Sequence, residues 1–161
     1  MASFVLRSDS PAATRGIGRR LARYLQPGDV ILLQGELGAG KTCLAQGIGE
    51  GLGAGQRVKS SAFVLVNEYE GRLKMNLADL YRLSEPSEVS DLALEENAAG
   101  GALVVEWPDR AWEEMPRERL LIRLKWVGER SRELRLEPEG ARARELAEKL
   151  ASGVGSQRRR R

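Results

Sequence analysis

Residues 29–44 read Asp29-Val30-Ile31-Leu32-Leu33-Gln34-Gly35-Glu36-Leu37-Gly38-Ala39-Gly40-Lys41-Thr42-Cys43-Leu44. Val30 to Leu33 is an unbroken apolar run, as expected of a strand buried on both faces. A glycine-rich turn, Gly35 to Gly40, follows it. Leu44, Ile48 and Leu52 then recur every four residues, marking one face of a helix that ends at Gly53 to Gly55. Gly35 to Thr42 fits the pattern G-x-x-x-x-G-K-[ST], and each residue type has a physical task. Polyphosphate oxygens need many donors converging on one spot. Backbone N–H groups provide them where glycines let the chain wrap tightly. The following helix aims its N-terminal N–H groups and partial positive charge at the anion. Lys41 adds a mobile cation for the β- and γ-phosphates, and Thr42 offers a hydroxyl to Mg²⁺.

Upstream of this unit, Phe4-Val5-Leu6 reads as a short strand. Ser10-Pro11 reads as a helix start, with serine as cap and proline in the first turn. Ala13, Ile17, Leu21 and Leu25 give that helix an apolar face, and Pro27-Gly28 stops it. Downstream, Phe63 to Val66 and Leu73 to Leu77 read as strands joined through Glu70-Gly71-Arg72. Residues 80–94 are mixed, a loop with a short helix. Ala102 to Val105 is a second buried strand, with Glu106 directly after it. Leu120 to Trp126 and Glu133 to Leu136 suggest another hairpin, and Ala141 to Leu150 a closing helix. The expected fold is α/β: a P-loop NTPase-like mixed β-sheet with flanking helices in a single domain. That domain covers residues 1–151, leaving 152–161 as a disordered, arginine-rich tail.

Composition narrows the chemistry. The 161 residues contain no histidine and one cysteine, Cys43. Histidine-dependent triads, histidine-ligated zinc and an internal disulfide are therefore excluded. A metal is expected to be a hard cation on oxygen ligands, and a catalytic base to be a carboxylate. Nothing approaches the ~18 apolar residues of a membrane span, and the N-terminus lacks a signal-peptide pattern. A cytoplasmic protein is expected. The net charge is +3, but removing Arg158 to Arg161 leaves 22 basic against 23 acidic side chains. The body is near neutral and shows no broad basic face in the sequence.

Hydrolysis at a phosphate loop needs acidic partners for metal or water. Glu106 follows a buried strand, and Asp79 follows the strand ending at Leu77. Strand ends of this kind are where open α/β sheets place ligands. Spacing alone leaves open which acid holds metal and which orients water. No Asn-Lys-x-Asp guanine reader is present, so adenine is the expected base. Trp107 is expected beside the site. Trp112 and Trp126 are read as packing residues, Arg130 and Arg132 as solvated, and Cys43 as a small packed residue.

Four segments occur together in the order and spacing of one family. They are Gly35 to Thr42, Val58 to Val66 (Val58-Lys59-Ser60-Ser61-Ala62-Phe63-Val64-Leu65-Val66), Asp79-Leu80-Tyr81-Arg82-Leu83, and Val105-Glu106-Trp107-Pro108. Over roughly residues 5–137 the chain resembles the bacterial TsaE ATPases. The resemblance implies a role in forming N6-threonylcarbamoyladenosine at position 37 of tRNAs that read codons beginning with A. It implies ATP and ADP binding with Mg²⁺, and action with TsaB and TsaD, tRNA being met through that complex. Carried over by position, Gly35, Glu36, Leu37, Gly38, Ala39, Gly40, Lys41, Thr42 and Cys43 surround the nucleotide, with Trp107 beside it. Lys41, Asp79 and Glu106 are the implied catalytic set, and Thr42, Asp79 and Glu106 the implied metal set. The chain departs from the family where Ser60-Ser61-Ala62-Phe63 replaces Ser-Pro-Thr-Phe, where Leu77 replaces a histidine, and at Cys43. Two other readings compete: a P-loop kinase of a small metabolite, and a nucleotide-gated binding module with negligible turnover.

Overall fold

The computed structural model describes residues 2–54, 66–153 and 157–160. Within them the strands are β1 (Ala2–Ser8), β2 (Val30–Gln34), β3 (Val66–Tyr69), β4 (Met75–Asp79), β5 (Ala102–Glu106), β6 (Arg119–Trp126), β7 (Arg132–Glu139) and β8 (Gln157–Arg160). The helices are α1 (Pro11–Ala22), α2 (Lys41–Gly51), α3 (Leu94–Ala99) and α4 (Ala141–Gly153). Short 3-10 segments occupy Pro86–Leu92 and Pro108–Glu114. The described strands form one mixed sheet in the order β3-β4-β5-β2-β6-β7-β1-β8. Neighbours among β4, β5, β2 and β6 run parallel, and the flanking pairs run antiparallel.

The apolar run of β2 divides its side chains between two cores. Ile31 and Leu33 face α1, α2 and α4, packing with Ile17, Leu21, Leu44, Ile48, Leu146 and Leu150. Val30 and Leu32 face the other side, with Leu94, Ala98, Val89 and Ala111. That two-sided burial is why the segment is apolar throughout rather than alternating. Helix α1 starts as its sequence directs: the Ala13 N–H donates to Ser10 Oγ at 3.0 Å, with Pro11 in the first turn.

Several expectations shift. Ala13 is exposed, and Thr14 takes the buried position, joined to Ser8 by a 2.6 Å hydroxyl pair. Strand β4 begins two residues later than Leu73 and includes Asp79, because its pairing partner β5 carries the ladder to Glu106. Residues 63–65 of the expected third strand lie outside the described residues, and β3 opens at Val66. The tail differs as well. Helix α4 continues through Gly153, and Gln157–Arg160 pairs with Ala2–Val5 as an edge strand. A polar, arginine-rich segment suits such a position, because β1 presents an open row of backbone donors and acceptors. Among the described residues, no helix is long and apolar enough to cross a membrane.

Candidate nucleotide site

The carboxyl ends of the parallel strands converge on the loop between β2 and α2. Gly38 and Gly40 adopt positive φ, 81° and 108°, which side-chain-bearing residues rarely do. Gly35 is required for a different reason: a Cβ there would lie 2.7 Å from the Leu124 carbonyl oxygen of β6. Gly40 caps α2 without a side chain, leaving the first-turn N–H groups facing the loop. Lys41 is only 5% exposed although charged. Its Nζ donates to the carbonyls of Gly35 and, at 3.0 Å, Glu36, and lies 3.9 Å from the centre of the Trp107 ring. The Glu36 side chain is exposed while its carbonyl turns inward. Leu37 projects outward and Ala39 is buried beneath the loop. Thr42 is exposed on the first turn of α2; Cys43 is a half-buried free thiol.

Asp79 and Glu106 end adjacent parallel strands as register partners. The Leu80 N–H donates to the Glu106 carbonyl at 3.0 Å, and the Trp107 N–H to the Leu33 carbonyl at 3.3 Å, so the tips of β4, β5 and β2 are tied together. Asp79 accepts from the Tyr81 N–H at 3.0 Å. Glu106, 7% exposed, has its carboxyl pKa pushed up to about 7 by burial and then by the charge of Asp79, against the pull of Lys41. Burial lowers the pKa of Lys41, while Glu106, Asp109, Asp79 and Glu36 oppose that shift. The site is thus a buried cation facing two acids at strand tips. Among the described residues no three acidic, cysteine or histidine side chains gather. The two carboxylates and the Thr42 hydroxyl are hard oxygen donors, the kind that could hold a magnesium ion.

A cleft of about 820 Å³ opens above these groups, lined by the loop, Tyr81, Trp107, Asp109 and the end of β6. Trp107 holds a left-handed backbone, φ 60° and ψ 47°, directly after Glu106. Its ring tilts at 45° against Tyr81 with centroids 4.8 Å apart, and the Arg110 guanidinium lies over the Tyr81 ring, 5.4 Å from its centre.

The family model described as "Threonylcarbamoyl adenosine biosynthesis protein TsaE" matches residues 8–134. The chain belongs to the TsaE family. It is 40% identical over 147 residues to the tRNA threonylcarbamoyladenosine biosynthesis protein TsaE of Bacillus subtilis, covering 90% of this chain and 92% of that one. It is 41% identical over 127 residues to the TsaE of Streptomyces coelicolor, covering 75% and 85%. A crystal structure of Bacillus subtilis YdiB superposes with a TM-score of 0.80 at 35% identity, covering 95% of this chain and 97% of that one. The family takes part in tRNA threonylcarbamoyladenosine biosynthesis, and this chain shares that assignment.

The structure brings together Lys41, Asp79, Glu106, Trp107 and the 35–40 loop, the residues that the TsaE motifs single out. Ser60, Ser61 and Ala62 lie outside the described residues. Two residues at the site were read differently from the sequence, and a third was not assigned. Trp126 is 53% exposed rather than packed, and its indole N–H donates to the Gly38 carbonyl at 3.1 Å. Arg132 is half-buried rather than solvated; it donates to the same carbonyl at 3.3 Å and lies over the Trp126 ring. Tyr81 went unassigned, although it sits inside the Asp-Leu-Tyr-Arg motif. Trp126 keeps the apolar phase of β6, but β6 runs past the core and delivers it to the loop, which alternation alone does not reveal. Trp112 packs on the second core as expected, and Arg130 is exposed.

Proposed function

We propose that the chain is the ATP-binding and ATP-hydrolysing component of the machinery that forms N6-threonylcarbamoyladenosine on tRNA, working with TsaB and TsaD in the cytoplasm. The observation that carries this reading is the buried Lys41, held in the phosphate loop opposite Asp79 and Glu106. In the proposed cycle the loop amides and Lys41 grip the polyphosphate. Lys41 leaves the Gly35 and Glu36 carbonyls and neutralises charge that builds on the γ-phosphoryl oxygens. Thr42 with one of Asp79 and Glu106 would hold Mg²⁺, which when bound would supply charge neutralisation on the β- and γ-phosphates. The carboxylate left free of metal positions water, and Trp107 with Tyr81 screens the site from bulk solvent. ADP remains as the product state.

The test is reconstituted tRNA modification with TsaB, TsaD and tRNA, comparing wild type with Lys41→Ala. Wild type is expected to support multiple turnovers and the variant not; equal modification by both refutes the proposal. Product analysis with added metabolites separates the kinase reading, since hydrolysis releases inorganic phosphate.

A further inference from the structure

Strand β6 runs alongside the phosphate loop, and Gly35, Gly38 and Gly40 all meet it. A Cβ on Gly35 would press on the Leu124 carbonyl, and one on Gly40 would touch the Leu124 side chain. A Cβ on Gly38 would lie 3.1 Å from the Trp126 ring. Trp126 pairs with Arg132 as the last rung of the β6–β7 ladder before the turn. The Val127 N–H closes that turn onto the Ser131 carbonyl at 3.1 Å, and the Ser131 hydroxyl donates to Asp9 at 3.3 Å. The hairpin tip is therefore anchored to the segment between β1 and α1, independently of the loop.

From this anchored tip two donors converge on one oxygen, the Gly38 carbonyl. The Trp126 indole N–H reaches it at 3.1 Å and the Arg132 guanidinium at 3.3 Å, while that guanidinium also lies 5.3 Å from the indole centre. Gly38 is exposed, so water alone would satisfy its carbonyl, and two side-chain donors exceed what satisfaction requires. What they fix is orientation. The N–H and C=O of one planar peptide unit point opposite ways. With the Gly38 oxygen held toward the hairpin, the Ala39 N–H turns back into the loop, where it donates to the Glu36 carbonyl at 3.0 Å. A flipped 38–39 peptide would instead aim an oxygen at the ground where phosphate oxygens must settle. Gly38, at φ 81° and without a Cβ, offers little resistance to that flip.

We propose that Trp126 and Arg132 are positioning residues, a latch that holds the Gly38 carbonyl outward and keeps the phosphate loop in its anion-binding form before nucleotide arrives. This role rests on the nucleotide binding proposed above. Preorganisation raises affinity, because the apparent Kd is the intrinsic one divided by the fraction of loops already competent. The latch acts on the cradle and not on the base, so it favours a polyphosphate whatever base is attached.

The experiment compares wild type with Trp126→Phe, which keeps a ring against Gly38 and removes the N–H. Trp126 is 53% exposed and belongs to neither core, so the fold should be retained. Calorimetry measures affinity for magnesium–ATP and for inorganic triphosphate with magnesium, and hydrogen exchange follows the amides of residues 35–40. Both ligands are expected to weaken by the same factor, about three- to tenfold, the loss of one hydrogen bond. The loop amides should exchange faster while the interior of α2 is unchanged. Unchanged affinity for both ligands overturns the latch and leaves the nucleotide reading standing. Weakened ATP with unchanged triphosphate also overturns it, assigning Trp126 to the base. Weakening of both without faster loop exchange overturns it too, since the loop was then not what Trp126 restrained. So does a wild type that binds ATP but not triphosphate, because the cradle then contributes too little for a latch to matter. A wild type that binds neither ligand removes the nucleotide reading and the latch with it.

Discussion

Lys41 is a buried ammonium whose present partners are two carbonyls and an aromatic face rather than a carboxylate. Such a cation is available to a polyphosphate, which offers stronger charge-assisted bonds. Lys41→Ala should weaken magnesium–ATP binding by about 1.5–3 kcal/mol, the range for a bond to a charged group, read by calorimetry. Glu106 supplies a prediction of opposite character. Its carboxyl holds a proton to about pH 7 in the folded chain, against a reference value of 4.5. Between those values the folded chain binds more protons than the unfolded chain, so stability falls as pH rises, by up to about 1.4 kcal/mol per pH unit. Glu106→Gln removes that slope. In denaturant titrations at pH 5 and pH 8, the variant should gain on wild type at the higher pH; the same gap at both would show that Glu106 is not buried as described. The identities of both residues were legible from motif and strand-end position. The proton held by Glu106 was not, because it depends on burial beside Asp79, some 27 positions away along the chain.

The crossing of α1 and α2 sets where the phosphate loop points, and glycine makes it possible. A Cβ on Gly47 would collide with the Arg15 carbonyl, and one on Gly18 with the Leu44 carbonyl. Gly16, on the same helix as Gly18, has only the Arg19 guanidinium tip nearby, at 3.6 Å. Gly47→Ala is expected to destabilise by about 2 kcal/mol through overpacking. Gly16→Ala should instead stabilise by up to about 1 kcal/mol through helix propensity. Thermal melts of the two variants should therefore move in opposite directions. Four-residue periodicity located both helices, since their apolar faces are regular. It could not distinguish the two α1 glycines, because their difference lies in the neighbouring helix. Residues 86–99 and 108–114 were equally opaque: short 3-10 turns and a six-residue helix carry too little period to read.

At the scale of the molecule, α4 is fastened to the start of β2 by Arg142. Its guanidinium donates to both carboxylate oxygens of the buried Asp29, at 2.9 and 2.8 Å, and to the Tyr24 carbonyl. Asp29 also accepts from the Gln26 N–H at 2.7 Å. Arg142→Ala strands a buried carboxylate and should cost about 3 kcal/mol, whereas Arg142→Lys should recover part of that loss; denaturant midpoints check both. This clasp joins residues 113 positions apart and leaves no trace in local patterning. The α/β class and the mixed sheet were legible from buried runs and hairpins. The strand order was not, because it depends on crossovers that composition does not encode. The pairing of Asp79 with Glu106 has a consequence for how the site tolerates change. Their separation is dictated by the main-chain ladder of two neighbouring parallel strands, about 4.8 Å apart, and not by how the side chains behind them pack. Apolar residues within β4 and β5 can therefore drift through substitution and alter melting behaviour, while the backbone keeps the gauge between the two acids constant.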